Sequence, residues 1–95
     1  MKTHIEEIKQ KILPVLQRYD VVKAAIFGSF VIGEIKQGSD IDILVEFRGK
    51  KSLLDLAGLK IELEELLRRK VDVLTYNSLH PLLRKKILRE QVVIL

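Results

Sequence analysis

The chain has 95 residues, of which 47% are hydrophobic and 32% charged, and its formal net charge is +4. This length suits one domain, spanning residues 1–95, and the composition argues against a disordered chain. Without cysteine there is no disulfide framework, and without a long apolar run we expect no membrane segment and a location in the cytoplasm.

The first predicted element is a helix that begins at a capping box, Thr3-His4-Ile5-Glu6. Apolar residues then recur at helical spacing, at Ile5, Ile8, Ile12 and Val15 or Leu16. Pro14 lies late in this stretch and lacks a backbone N–H, so we expect a kink there or a helix in two pieces.

The next element is a nearly all-apolar strand, Val21 to Phe27, which ends at Gly28-Ser29. A strand that runs into Gly-Ser and a short helix presents free N–H groups that favour phosphate, although an ordinary tight turn also uses glycine. Only 12 residues, 28 to 39, separate this strand from the next. That spacing leaves little room for a crossover helix, so we expect a mixed sheet.

The second strand, Asp40 to Phe47, carries two carboxylates inside an apolar run. Asp40 and Asp42 are two residues apart and therefore point to the same face, opposite Ile41 and Ile43. Burying an unpaired carboxylate is costly, so the pair suggests a place that holds a cation.

A helix and a third strand follow. Ser52-x-x-Asp55 caps the helix, and its predicted buried stripe comprises Leu56, Leu59, Leu63, Leu66 and Leu67. The third strand, Lys70 to Tyr76, places Asp72 between two valines. We expect Asp72 to face the same site as the first two carboxylates, although a lone strand Asp is usually a surface residue.

The last predicted elements are a helix beginning at Pro81 and a short edge strand, Val92 to Leu95. The helix is expected to pack through Leu82, Leu83, Ile87 and Leu88. Its basic residues, Arg84 to Arg89, form either a solvated face or a surface for an acidic partner or RNA. The five aromatic residues make no obvious stacking platform, so we do not expect direct nucleic-acid binding.

Together these elements predict an α+β fold with a small mixed sheet of three or four strands flanked by helices. Three carboxylates beside a phosphate-binding turn suit Mg²⁺, a hard cation that binds oxygen ligands and substrate phosphates. Zinc has little support, since the only two histidines, His4 and His80, are far from the acidic motif in sequence.

The combination of Gly28-Ser29, Asp40-Ile41-Asp42-Ile43 and a later strand residue, Asp72, resembles the nucleotidyltransferase superfamily typified by DNA polymerase beta. The small size and the layout FGS…GSDIDILVEF…VDVLT…LHPLLRKKIL…VVIL resemble the minimal nucleotidyltransferases (MNT). Those proteins are encoded beside HEPN-domain toxins in prokaryotic toxin–antitoxin pairs.

The resemblance implies an enzyme that transfers a nucleoside monophosphate from a nucleoside triphosphate at a site with two Mg²⁺ ions. In MNT antitoxins AMP passes from ATP to a Tyr hydroxyl of the HEPN toxin, a ribonuclease that is thereby silenced. Carried over, Gly28, Ser29 and Ser39 would bind the nucleotide. Asp40 and Asp42 would hold both metal ions, and Asp72 the catalytic one.

One position departs from the family pattern. Many members have an Arg just before the glycine that here is Gly33, whereas this chain has Val31-Ile32-Gly33. If that Arg helps to hold phosphate, Lys36 or a residue of the last helix must replace it, or activity is reduced. The alternative is therefore an antitoxin of weak catalytic activity that neutralises its toxin by binding alone.

Overall fold

A computed structural model describes residues 4–28 and 40–95 of the chain. Within these ranges the helices are α1 (His4–Arg18), α2 (Leu53–Leu67) and α3 (Pro81–Glu90). The strands are β1 (Val21–Phe27), β2 (Ile41–Phe47), β3 (Val71–Thr75) and β4 (Val92–Val93). None of these helices combines the length and the hydropathy needed to cross a membrane.

The four strands form one mixed sheet in the order β3-β2-β1-β4. β1 is antiparallel to both β2 and β4, whereas β2 and β3 are parallel and are connected through α2. A parallel pair needs such a crossover, while the shorter connection between β1 and β2 suits an antiparallel pair. The expected α+β fold with a small mixed sheet is therefore confirmed.

One face of the sheet is covered by α1 and α2 and contains the larger core. Every second residue of β2 points into it, as the two-residue period of a strand requires. Its fully buried members from the helices and the two central strands are Ile12, Leu16, Ala24, Ile26, Ile41, Ile43, Val45, Leu59 and Leu63.

The opposite face is covered in part by α3, over a smaller cluster of Phe27, Leu44, Tyr76 and Leu79. Two hydrogen bonds hold α3 there. The Arg84 guanidinium donates to the Tyr76 carbonyl at 2.8 Å, and the Tyr76 hydroxyl donates to Gln91 Oε1 at 3.1 Å. This face is the one onto which Asp42 and Asp72 project.

Of the two alternatives for Pro14, a helix in two pieces was wrong, because α1 runs through Pro14 as one helix. Proline cannot donate to the carbonyl four residues earlier, which belongs to Gln10. Both residues lie on the exposed side of the helix, where water can solvate the carbonyl. The capping box at Thr3 lies outside the described residues.

The predicted packing of Leu66, Leu82 and Leu83 was also wrong, since their exposed fractions are 41%, 85% and 54%. The other two residues of the predicted α3 face, Ile87 and Leu88, do pack against the sheet, at the end of the helix where Gln91 bonds to Tyr76. The Ser52 capping box of α2 was predicted correctly.

Candidate functional site

The centre of the candidate site is a pair of carboxylates on neighbouring strands. In the parallel register of β2 and β3, Asp42 lies directly beside Asp72. The residues on either side of each aspartate are buried in the core beneath the helices. Alternation then directs both carboxylates to the opposite face, where their side chains are hydrogen-bonded to each other.

Crowding of negative charge changes the acidity of this pair. The pKa of Asp42 is raised from 3.8 to about 6, mainly because partial burial disfavours its charged form. The charges of Asp72 and then Asp40 raise it further, as does the hydrogen bond that protonated Asp42 donates to Asp72. Partly buried carboxylates that repel one another are stabilised by a bound proton or by a bound cation.

Gly28 is in direct contact with Asp42. Its φ of +83° is in the left-handed region that favours glycine, and it follows Phe27, the register partner of Asp42 on β1. A Cβ at this position would lie 2.2 Å from Asp42 Oδ2. The sequence predicted Gly28 for its backbone freedom, but only the structure gives the second reason, the space that Asp42 occupies.

Glu64 is a supporting residue that the sequence did not reveal. It lies four residues before Arg68, the spacing of an exposed ion pair on a helix. In the structure, Glu64 Oε2 accepts a hydrogen bond from the Val71 N–H at 3.1 Å. This contact fixes the start of β3 one residue before Asp72.

The remaining predicted residues are placed differently. Asp40 is exposed and lies one residue before β2, two positions from Asp42. Ser29 and Ser39 lie outside the described residues. His80 caps α3, because its Nδ1 accepts a hydrogen bond from the Leu82 N–H at 3.1 Å.

The fit of Mg²⁺ to this site rests on two of the three carboxylates. Asp42 and Asp72 offer adjacent carboxylate oxygens, the donors that Mg²⁺ prefers, and their mutual repulsion would be relieved by a cation. Within residues 4–28 and 40–95, no group of three or more acidic or histidine side chains is close enough to hold a metal. Asp40 therefore does not complete a three-carboxylate cluster in this structure.

The sequence matches the family model described as "Polymerase beta, Nucleotidyltransferase" over residues 10–95. A protein of Methanocaldococcus jannaschii, provisionally named a protein adenylyltransferase, is 60% identical over 92 residues. That match covers 97% of this chain and 99% of the relative. Further relatives from the same species and from Thermococcus cleftensis also have protein adenylyltransferase names.

Two solved structures share the fold. One, provisionally described as a minimal nucleotidyltransferase, has a TM-score of 0.80 and 38% identity, and covers 93% of this chain and 90% of its own. The other is an MNT antitoxin in complex with a tri-AMPylated HEPN toxin of Shewanella oneidensis. It has a TM-score of 0.74 and 20% identity over 95% of this chain and 71% of that chain, a likeness of fold alone.

Proposed function

The chain belongs to the polymerase beta nucleotidyltransferase family, and we propose that it transfers AMP from ATP to a hydroxyl of a partner protein in an Mg²⁺-dependent reaction. The observation that carries this proposal is the Asp42–Asp72 pair, packed against Gly28 at the end of β1. The protein adenylyltransferase names of its relatives support AMP as the transferred group and a protein as the acceptor.

In this proposal the three nucleotide-binding residues are Gly28, Ser29 and Ser39. The metal ligands are Asp40, Asp42 and Asp72. Two Mg²⁺ ions bound there would neutralise the triphosphate and stabilise the attacking and leaving oxygens of an in-line displacement. The absence of a side chain at Gly28 lets the backbone and the nucleotide approach Asp42 closely.

The reaction itself is a displacement at the α-phosphorus of ATP. The acceptor hydroxyl oxygen forms a bond to this phosphorus, and the bond from the phosphorus to the oxygen that bridges to the β-phosphate breaks. The products are the AMP ester of the acceptor and pyrophosphate. The proton of the hydroxyl passes to the exposed carboxylate of Asp72 or to solvent.

The partner we propose is a HEPN toxin encoded by the neighbouring gene, with a Tyr hydroxyl as the acceptor. The complex of an MNT antitoxin with an AMPylated HEPN toxin, which shares this fold, supports that assignment. The chain would then act in the cytoplasm, as a single domain over residues 1–95, by silencing the toxin.

The test incubates the protein with its genomic neighbour, Mg²⁺ and ATP labelled at the α-phosphate. We expect label on the neighbour's band with the wild type and none with Asp42→Asn. The matched control is Asp20→Asn, which removes an exposed carboxylate that pairs with Lys51, and this variant should label the partner as the wild type does. Full labelling by folded Asp42→Asn would refute the proposal.

The second candidate is an antitoxin that neutralises its toxin by binding alone. It is favoured by the lack of a three-carboxylate cluster within the described residues and by Ile32 in place of the usual Arg. In that case no label is transferred. The wild type and Asp42→Asn would then bind the toxin and inhibit its ribonuclease activity equally.

A further inference from the structure

An apolar hollow of about 230 Å³ opens at the outer edge of the sheet, between the start of α2 and β3. β3 is the outermost strand at this side of the described sheet. The side chains that give the hollow its apolar character are Phe47, Leu53, Leu56, Val73 and Leu74.

The leucines around this hollow are unusually exposed. Leu53 and Leu54 are each 83% exposed, and Leu74 on β3 is 40% exposed. Leu53 and Leu54 are the first two residues of α2, where acidic residues are favoured by the helix dipole. Large apolar side chains at such positions do not stabilise the isolated domain, and clustered exposure of this kind marks an interaction surface.

The hollow extends to within two residues of one proposed catalytic carboxylate, Asp72 on β3. Leu74 is two residues after Asp72 on β3, so the two side chains project from the same face of the sheet. At the usual rise of a strand they are separated by about 6.6 Å along it. A protein seated in the hollow would therefore have its own residues within reach of Asp72.

Positive charge lies on one side of the hollow. The turn before α2 contains Arg48, Lys50 and Lys51, of which Lys51 lines the hollow and also pairs with Asp20. A complementary occupant therefore combines apolar side chains with acidic ones.

We propose that the acceptor protein docks here, placing apolar side chains of an acidic segment in the hollow and its hydroxyl near Asp72. This inference rests on the proposed function, since it assumes a protein acceptor. The surface adds the partner's chemistry: it must be apolar where it meets Leu53 and Leu74, and negatively charged where it meets Lys51.

The test uses Leu53→Glu, which removes the apolar contact and repels an acidic partner. Glutamate at the first position of α2 suits the helix dipole, so the variant should remain folded. The matched control is Ile61→Glu, because Ile61 is 56% exposed on the same helix and does not line the hollow. Leu53→Lys separates the loss of apolar contact from the added negative charge.

We measure the dissociation constant of the complex with the neighbour-encoded protein, together with KM values for that protein and for ATP. We expect Leu53→Glu to weaken binding and raise the acceptor KM by about tenfold or more, as at a binding hot spot. Leu53→Lys should have a smaller effect, Ile61→Glu none, and the ATP KM should stay unchanged in all three.

The outcomes separate the two claims. If the wild type transfers AMP and Leu53→Glu binds and transfers equally well, the docking surface is refuted while the proposed function stands. If the wild type binds without transfer, the function fails, and the dissociation constant of Leu53→Glu still decides the docking surface. A wild type that neither binds nor labels the neighbour protein refutes both.

Discussion

At the scale of single residues, the contact between Gly28 and Asp42 links the end of β1 to the candidate site. Two glycines of the described chain have a positive φ, Gly28 at +83° and Gly49 at +71°. A Cβ at Gly28 would collide with Asp42 Oδ2, whereas a Cβ at Gly49 meets nothing within 4 Å. Comparing substitutions at these two glycines therefore distinguishes the effect of backbone strain from the effect of displacing the Asp42 carboxylate.

We predict that Gly28→Ala abolishes AMP transfer while Gly49→Ala leaves it unchanged. Both variants should lose about 1 to 2 kcal/mol of unfolding free energy from backbone strain. Only the first displaces Asp42. Urea denaturation and label transfer check the two effects, and a fully active Gly28→Ala would show that the Asp42 position does not matter.

The raised pKa of Asp42 predicts a pH dependence of stability in the metal-free protein. The folded state holds the proton of Asp42 up to about pH 6, while the unfolded carboxyl releases it near 3.8. The unfolding free energy should therefore fall as the pH rises from about 4 to about 6, and this contribution should be constant above that. Since Asp42 is only half-buried, we expect a decrease of about 1 kcal/mol.

Denaturation of the chelator-treated protein at a series of pH values measures this decrease. Asp42→Asn cannot titrate, so its stability should change less over the same window. Asp20→Asn, which leaves the carboxylate pair intact, should keep the wild-type dependence. An unchanged slope in Asp42→Asn would mean that another group is responsible.

The sequence identified these carboxylates because strand alternation is strict. Asp42 and Asp72 each lie between residues that belong in the core, so their shared face follows from the period of two. Their adjacency did not follow from periodicity, because the register between β2 and β3 depends on α2. The role of Glu64 could not be predicted either, since its acceptor geometry depends on where β3 begins.

At the scale of elements, α2 determines how β2 and β3 meet. It connects the parallel strands and packs on the sheet through Leu59 and Leu63, both fully buried. Leu66, on the same helix, is 41% exposed. The helical period predicted the stripe but could not place its edge, because that edge depends on how much of the helix the sheet covers.

We predict that Leu63→Ala lowers the unfolding free energy by about 2 to 5 kcal/mol, because it leaves a cavity in the core. Leu66→Ala should lower the unfolding free energy by less than about 1 kcal/mol, because much of the Leu66 side chain is already exposed to solvent. Urea denaturation of both variants checks the comparison. Equal losses would contradict the packing of α2.

Two features of the helices differ from what the local sequence indicates, for different physical reasons. Pro14 is tolerated in α1 because it and Gln10, to whose carbonyl it cannot donate a hydrogen bond, both lie on the exposed side of the helix. The local sequence does not reveal this exposure. In α3 the prediction was right for Ile87 and Leu88 but wrong for Leu82, which is exposed in a helix that Arg84 and Gln91 attach to Tyr76. Hydrophobicity alone cannot anticipate a helix that is oriented by polar contacts.

At the scale of the whole molecule, the two faces of the sheet differ: one is covered by helices, and the other carries the candidate site. α1 and α2 enclose the larger core on one face. On the other face α3 covers the smaller cluster near Tyr76 and Leu44, while the edge at Asp72 and Leu74 is exposed. In our proposal a partner protein covers this edge and brings the acceptor hydroxyl to the carboxylates.

The most direct test of this account asks which phosphate of ATP reaches the partner. The wild type is incubated with Mg²⁺ and the neighbour-encoded protein, in parallel with ATP labelled at the α-phosphate and at the γ-phosphate. We predict that only the α-label appears on the partner, on a Tyr residue, while the γ-label leaves as pyrophosphate. Transfer of the γ-label, or of neither label by a folded and partner-bound protein, would contradict AMP transfer at the Asp42–Asp72 site.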